Sequence, residues 1–366
     1  MKRYGYLYGA ITDYNNIVLA HKKAKQGKSY YEEVQLIDQE PTKYFEAIQA
    51  MLIDKTFRTS PYRTKMIHEP KERIIYKLPY YPDRIVHHAI MNVLQPIWDT
   101  IFIEDLYSAI PGRGLHEGTI KLRKWLHNKE ATRYCLKFDI AQYYPSVSHD
   151  ILFGLIARKI KCRDTLWLLE GIVRSPGGTA NIPIGNYLSQ YFGNIYLNYF
   201  DHWLKEEHRV RYYMRYGDDG IILNGSKQRL NDLLYDINIY LEDELALTLN
   251  NKTQLFKVDG RGIDFLGYRC FRDYTLLRKS SANRFKKKVG FIERNSKVLP
   301  PQHIISSVMS YCGWIDWCNG HNLLERYVLG NTRLLAIMDE AASTLGIDNP
   351  LRAKYGLPHD NPSMVI

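Results

Sequence analysis

Three acidic residues stand where acids are expensive. Asp139 ends the apolar run YCLKFD, and Asp218 and Asp219 sit in the middle of YYMRYGDDGIIL, residues 212–223. A carboxylate at the end of a buried strand is costly unless it is paired, hydrogen-bonded or bound to a metal. Two adjacent acids in a hairpin turn add mutual repulsion. Magnesium resolves both problems, because a hard cation takes carboxylate oxygens and keeps positions open for phosphates and water. Two such ions about 4 Å apart can clamp the attacking and leaving oxygens of a phosphoryl transfer. Taken singly, Asp-Asp is an ordinary turn and Asp139 a cap or ion-pair partner; together they form a candidate metal site.

These acids need elements to hold them. Residues 134–140 read as a short buried strand, and Ser148 or His149 can open the helix that follows. Residues 185–204 read as one long helix with an apolar face, and residues 212–223 as a strand-turn-strand hairpin. Residues 228–245 are helical in pattern and 262–271 strand-like. Upstream, helical spacing covers 42–58 and 83–102, the second opening on a plausible Asp83 cap. The order predicts an α+β fold, with helices on one face of a mostly antiparallel sheet. The last stretch is helical, and residues 278–297 carry eight Lys and Arg against Glu293 alone.

Composition sets the outer limits. The 366 residues include 50 Lys+Arg and 39 Asp+Glu, a net charge of +11, with 45% hydrophobic and 24% charged residues. Those are globular values, the length suits two or three subdomains, and the surplus suggests a polyanionic partner. No apolar run approaches the roughly 20 residues of a membrane span, and no secretory signal opens the chain. Five scattered cysteines without a Cys-x-x-Cys pair argue against a disulfide framework or a zinc site. A cytoplasmic, reducing location is the expectation. Tyrosine is in excess, 29 against 12 phenylalanines.

Residues 138–146 (FDIAQYYPS) resemble motif A of reverse transcriptases, residues 182–194 (IPIGNYLSQYFGN) motif B, and residues 216–219 (YGDD) motif C. Residues 249–253 (LNNKT) look like motif D and residues 265–268 (FLGY) like the primer grip. Residues 73–79 (RIIYKLP) and 111–114 (PGRG) resemble finger motifs of group II intron-like enzymes. The likeness runs over roughly residues 50–270, in the family's order. It implies a right-hand polymerase fold: an N-terminal extension (1–45), fingers (46–130), an antiparallel-sheet palm (131–272) and a helical basic thumb (273–366). It also implies RNA-directed DNA synthesis with two Mg²⁺ ions, held by Asp139 and Asp218 with Asp219 in support and the Ile140 carbonyl as a further ligand. Lys252 becomes the proton donor to the leaving pyrophosphate. Arg73, Lys77, Tyr144, Ile184 and Gly185 become dNTP contacts. Arg113, Ser189, Gln190, Phe265, Leu266, Gly267, Arg284, Lys286, Lys287 and Lys288 become template-primer contacts.

Tyr-Gly-Asp-Asp is shared with viral RNA-dependent RNA polymerases, whose motif A resembles Asp-x4-Asp. Here the fifth residue after Asp139 is Tyr144, a ring that would fill the space of a ribose 2′-OH and select deoxynucleotides. Most reverse transcriptases resemble Gln-Gly at motif B, whereas this chain has Ile184-Gly185, the aliphatic pattern of diversity-generating retroelements. That subclass implies a bacterial or phage source, errors chiefly opposite template adenines, cDNA that replaces a variable repeat (mutagenic retrohoming), and a small, basic, oligomeric accessory protein. Losing the Gln amide would remove polar contacts that discriminate a correct pair. An anti-phage, abortive-infection enzyme or another group II-like reverse transcriptase with the same core is the alternative, ahead of an RNA-dependent RNA polymerase or a non-catalytic RNA-binding scaffold, against which the three intact acids count.

Overall fold

A computed structural model of the chain describes residues 2–68 and 72–357. Among them the strands are β1 (Arg63–Ile67), β2 (Arg73–Lys77), β3 (Tyr134–Asp139), β4 (Tyr212–Tyr216), β5 (Asp219–Asn224), β6 (Gln254–Lys257), β7 (Ile263–Phe265), β8 (Tyr268–Cys270) and β9 (Thr275–Leu277). They form a β1–β2 hairpin, a sheet of order β4-β5-β3-β6, and a sheet of order β7-β8-β9. With its many helices, the chain is a mixed α and β protein. It divides into two compact units, one of Met1–Gly114 with Tyr134–Phe256, the other of Leu115–Arg133 with the chain from Lys257 onward.

In the first unit, β5 lies between β4 and β3 and is antiparallel to both. Alternation along the strands sends Leu136, Phe138, Tyr213 and Ile222 into one core, shared with the helices Tyr187–Tyr196, Asn198–His202 and Lys227–Leu245. Phe138 packs 6.2 Å from Phe200 and 6.5 Å from Tyr213, ring centre to ring centre. Its ring lies so close over Gly220 that a β-carbon there would come within 2.2 Å of it, so the position requires glycine. Met214, Ile221 and Leu223 on the other face are buried too.

Four local expectations change. Asp83 does not cap a helix: it lies inside a π-turn (Tyr80–Arg84) ahead of the helix Ile85–Asp99, and its Oδ1 accepts from the Ser60 N–H at 3.0 Å. The long helix expected over 185–204 is broken. Gly185 (φ +112°) lies outside it, Tyr187–Tyr196 is followed by Asn198–His202, and Leu197 between them has ψ near 0°. Residues 262–271 form not one strand but the hairpin β7–β8, because Leu266 and Gly267 both take positive φ, the pairing of a tight type I′ turn. Apolar periodicity is blind to a leucine in that conformation. The helix expected over 42–58 is Pro41–Ile53, starting on a proline and giving way to Lys55 at φ +56°.

The second unit packs the helices Lys279–Asn295, Pro301–Ile315 and Thr332–Thr344 through Phe285, Val289, Ile292, Ile304, Val308 and Met338. Arg272 ties its strands to the helix Leu115–Leu126, donating to the Leu126 carbonyl at 2.8 Å and to Thr132 Oγ1 at 3.0 Å. All five cysteines are free thiols.

Candidate active site

The sheet register does for the three acids what their sequence separation hides. Asp139 ends β3 directly opposite Asp219, the first residue of β5, and Tyr216 faces Asp219 from β4. Asp218 occupies the turn between β4 and β5, largely buried and beside the Asp139 carboxyl, whose charge acts on it. Burial, then the Asp139 and Asp219 charges, push its carboxyl up to about 6. Three carboxyls from three separate positions thus share one end of one sheet.

Asp139 is held from the far side by Asn250. The Asn250 N–H donates to the Asp139 carbonyl at 2.7 Å, and its side-chain amide reaches Oδ2 at 3.4 Å. The Ala141 N–H donates to the Thr248 carbonyl at 2.9 Å, so Ile140 and Leu249 face one another between these two bonds. That pairing leaves the Ile140 carbonyl unused on the Leu249 side. Lys252 is exposed two residues beyond Asn250, its N–H donating to Asn250 Oδ1 at 3.1 Å. Motif spacing had marked Lys252; the residue in contact with an acid is Asn250.

Tyr144 follows in a short turn, Tyr143–Ser146. A β-carbon added at Gly193 would lie 3.7 Å from the Tyr144 hydroxyl and 3.4 Å from the Tyr143 ring, ordinary contact distances that place both tyrosines against this helix. Burial and then the Asp218 carboxylate raise the Tyr144 hydroxyl above its usual range, while the Arg73 cation acts in the opposite sense. Tyr144 is therefore within electrostatic reach of both an acid and the β2 arginine. Tyr143 is buried and donates to the Gly193 carbonyl at 2.5 Å.

Strand β2 is docked on motif B through backbone. The Tyr76 N–H donates to the Ile184 carbonyl at 2.8 Å. At Gly185 a β-carbon would come within 2.9 Å of both the Tyr76 carbonyl oxygen and the Ile75 side chain. Arg73 and Lys77, exposed at the two ends of β2, are thereby brought to the same structure as Ile184 and Gly185.

Other expected contacts fall elsewhere. Ser189 is 3% exposed and lines a small cavity of about 10 Å³ with His87 and Asn186, whereas Gln190 points outward. Arg113 folds its own loop, donating to the Ile103 carbonyl at 2.8 Å. Phe265, Leu266 and Gly267 lie in the second unit, with Gly267 under Trp314. Arg284 borders a cavity of about 360 Å³ with Ser281, Ser307, Ser310, Tyr311 and Trp314. Helical geometry sets Arg284, Lys287 and Lys288 on one flank of Lys279–Asn295 and Lys286 on the other, over Tyr327. Lys288 Nζ lies 2.9 Å from His303 Nε2.

Sequence reasoning did not single out Arg215 and Asp201, a fully buried ion pair behind the Asp218 turn. A cation inside the apolar run YYMRY was the available signal, since a buried charge requires a counter-charge.

Among the described residues no group of three or more His, Cys, Asp or Glu side chains closes into a metal cage. Magnesium does not need one; it is held by one or two carboxylates together with water and substrate phosphates. Asp139 and Asp218 fit that open pattern, being oxygen donors whose crowding a cation would relieve. No helix among the described residues is long and apolar enough to cross a membrane.

Residues 65–270 match the family model described as reverse transcriptase (RNA-dependent DNA polymerase). The protein YkfC of Escherichia coli is 26% identical over 238 residues, covering 53% of this chain and 62% of YkfC. The group II intron-encoded protein LtrA of Lactococcus lactis is 21% identical over 308 residues, covering 64% of this chain and 51% of LtrA. A telomerase structure from Candida albicans, in complex with a fragment of telomeric RNA, aligns with a TM-score of 0.49 at 10% identity, covering 80% of this chain and 60% of that one. This chain therefore spans less than two thirds of the length of each of these relatives.

Proposed function

The chain belongs to the reverse transcriptase family, and from that premise we propose that it is an RNA-directed DNA polymerase that copies a template RNA into cDNA from dNTPs. One observation carries the reading: the Asp139 and Asp218 carboxyls meet at the end of the sheet, with Asp219 opposite Asp139. Asp139 and Asp218 would hold Mg²⁺, with Asp219 and the Ile140 carbonyl in support. When bound there, such ions would neutralise charge on the triphosphate and make the primer 3′-OH more acidic. Arg73 and Lys77 bind the triphosphate from β2, Arg73 suiting it through its planar fork. Tyr144 excludes a ribose 2′-OH, and Lys252 Nζ gives a proton to the leaving pyrophosphate.

In this reading the β1–β2 hairpin belongs to the fingers, the β4-β5-β3-β6 sheet to the palm, and the C-terminal helices to the thumb. Arg284, Lys286, Lys287 and Lys288 grip the template-primer backbone through sequence-independent phosphate contacts. The subclass proposed is that of diversity-generating retroelements, with a basic oligomeric accessory protein as partner and a cytoplasmic setting. Ile184 supports this: its backbone is fixed against β2, and its side chain offers no amide to discriminate a base pair.

Primer extension on an RNA template, with the products sequenced, tests both levels. Wild type should extend a DNA primer with Mg²⁺ and dNTPs, and Asp218→Asn should lower the rate by at least about 10³-fold. Equal extension by the variant refutes the catalytic assignment. Errors no more frequent opposite adenine than opposite other bases refute the subclass alone.

A further inference from the structure

Arg215 is a charged side chain in β4 that the chemistry above leaves without a task. It and Asp201 are both fully buried. Arg215 Nε meets Asp201 Oδ1 at 2.8 Å and Nη2 meets Oδ2 at 2.5 Å, and the Tyr213 hydroxyl donates to Oδ1 at 2.6 Å. Two-point attachment fixes the orientation of the guanidinium plane. The remaining nitrogen, Nη1, donates to the Gly217 carbonyl at 2.7 Å and lies 3.5 Å from Asn194 Oδ1. Asn194 is itself held, donating through Nδ2 to the Ser108 carbonyl at 2.8 Å. Both backbone groups of Arg215 are bonded to one neighbouring segment, its N–H to the Asp105 carbonyl and its carbonyl to the Tyr107 N–H, each at 3.0 Å. Everything around the guanidinium is fixed, and its free arm ends on one atom of the catalytic turn.

That atom belongs to the peptide whose N–H bonds the Asp218 carboxyl. Gly217 and Asp218 are the two central residues of the β4–β5 turn; Gly217 has φ +62° and Asp218 is not in the positive-φ region. Positive φ followed by negative φ is the type II′ arrangement. The peptide joining the two central residues is the loose element of such a turn. Rotating it through about half a revolution converts II′ into I′ and carries the second residue to positive φ. Aspartate visits that region more readily than most residues, and Gly217 allows it throughout. The rotation would turn the Asp218 N–H away from the Asp218 carboxyl, to which it now bonds, and so release the hold on the carboxyl beside Asp139. The oxygen that must move is the Gly217 carbonyl oxygen, the one held by Arg215.

We propose that Arg215, oriented by Asp201, is a positioning residue that locks the Gly217–Asp218 peptide and so keeps the Asp218 carboxylate facing Asp139. The consequence for catalysis rests on the polymerase reading; the consequence for cation binding does not.

Two variants test it. Arg215→Lys keeps a cation against Asp201, but one nitrogen cannot stand in the places of Nε, Nη2 and Nη1 together. Arg215→Met with Asp201→Leu removes both charges at similar volume, an exchange that buried ion pairs often tolerate without loss of folding. Folding is followed by circular dichroism and thermal unfolding, and Mn²⁺ binding by electron paramagnetic resonance with no nucleotide present. Folded variants should bind Mn²⁺ about 10-fold more weakly and extend primers with kcat lowered about 100-fold, while KM for dNTP stays within about 3-fold. A folded variant of either kind with wild-type Mn²⁺ affinity and wild-type kcat overturns the proposal, as does a loss confined to unfolding temperature. Weakened Mn²⁺ binding beside a wild type that makes no cDNA would support the positioning role and sink the polymerase reading.

Discussion

Asp218 is held in a state that opposes its own ionisation. With its carboxyl pushed up to about 6 by burial and by Asp139 and Asp219, the metal-free folded chain keeps a proton that the unfolded chain releases near pH 4. Between about pH 4 and 6 the folded state binds more protons, so this contribution to stability is full below that window and lost as pH rises through it. Asp218→Asn removes the ionisation. In metal-free buffer it should be more stable than wild type at pH 7.5, on the order of 2 kcal/mol, and no more stable at pH 4. Urea midpoints at the two pH values check this; a wild type matching the variant at pH 7.5 would show that the site carries no such strain. The acids themselves were legible as cost without visible compensation. A cation inside an apolar run marked Arg215 as needing a counter-charge, but its role and that of Asn250 were not legible, because they exist only across a register and a turn.

The β1–β2 hairpin illustrates how an element gains its place. Its strands are largely exposed, and two strands alone are marginal in water. The Tyr76 to Ile184 hydrogen bond and the close approach at Gly185 seat it on motif B. Gly185→Ala combines a φ of +112° with a β-carbon 2.9 Å from backbone, so neither the loop nor β2 can accommodate it unmoved. The variant should remain folded, exchange its Tyr76 amide proton at least about 10-fold faster, and show a raised KM for dNTP. Unchanged Tyr76 protection would mean that the hairpin is seated by other contacts. Glycine in IPIGN read as a motif position; its physical necessity lies in a strand more than 100 residues earlier. The broken helix after residue 196 and the hairpin within 262–271 were illegible for a related reason, since each turns on one or two backbone angles that hydrophobic spacing does not encode.

The net charge of +11 acquires a location in the second unit, where Lys279–Asn295 exposes Arg284 and Lys287 on one flank. If that flank tracks a phosphate backbone, Arg284→Ala and Lys287→Ala should each reduce the slope of log affinity against log salt by about 1. Titrations of an RNA–DNA duplex in KCl would measure it, and unchanged slopes for both would remove this helix from the nucleic-acid channel. The tyrosine excess also finds a use. Tyr143, Tyr191, Tyr196 and Tyr213 are buried rings whose hydroxyls bond Gly193, Asp99, Leu245 and Asp201, joining one element to another. Phenylalanine would fill the same space without those ties.

Legible in the chain were the motifs that resemble the family's, the cost of the three acids, the main strands and helices, and the mixed α and β character, because each is written in local pattern: motif order, charge against hydrophobicity, and apolar period. Folding alone assigned Arg215 to the Gly217 carbonyl, Asn250 to Asp139 and Ile75 to Gly185, and drew Ser189 into the interior. Those assignments depend on which distant atoms come within 3 Å of one another. Chain pattern does not carry such distances; strand register, turn geometry and packing do.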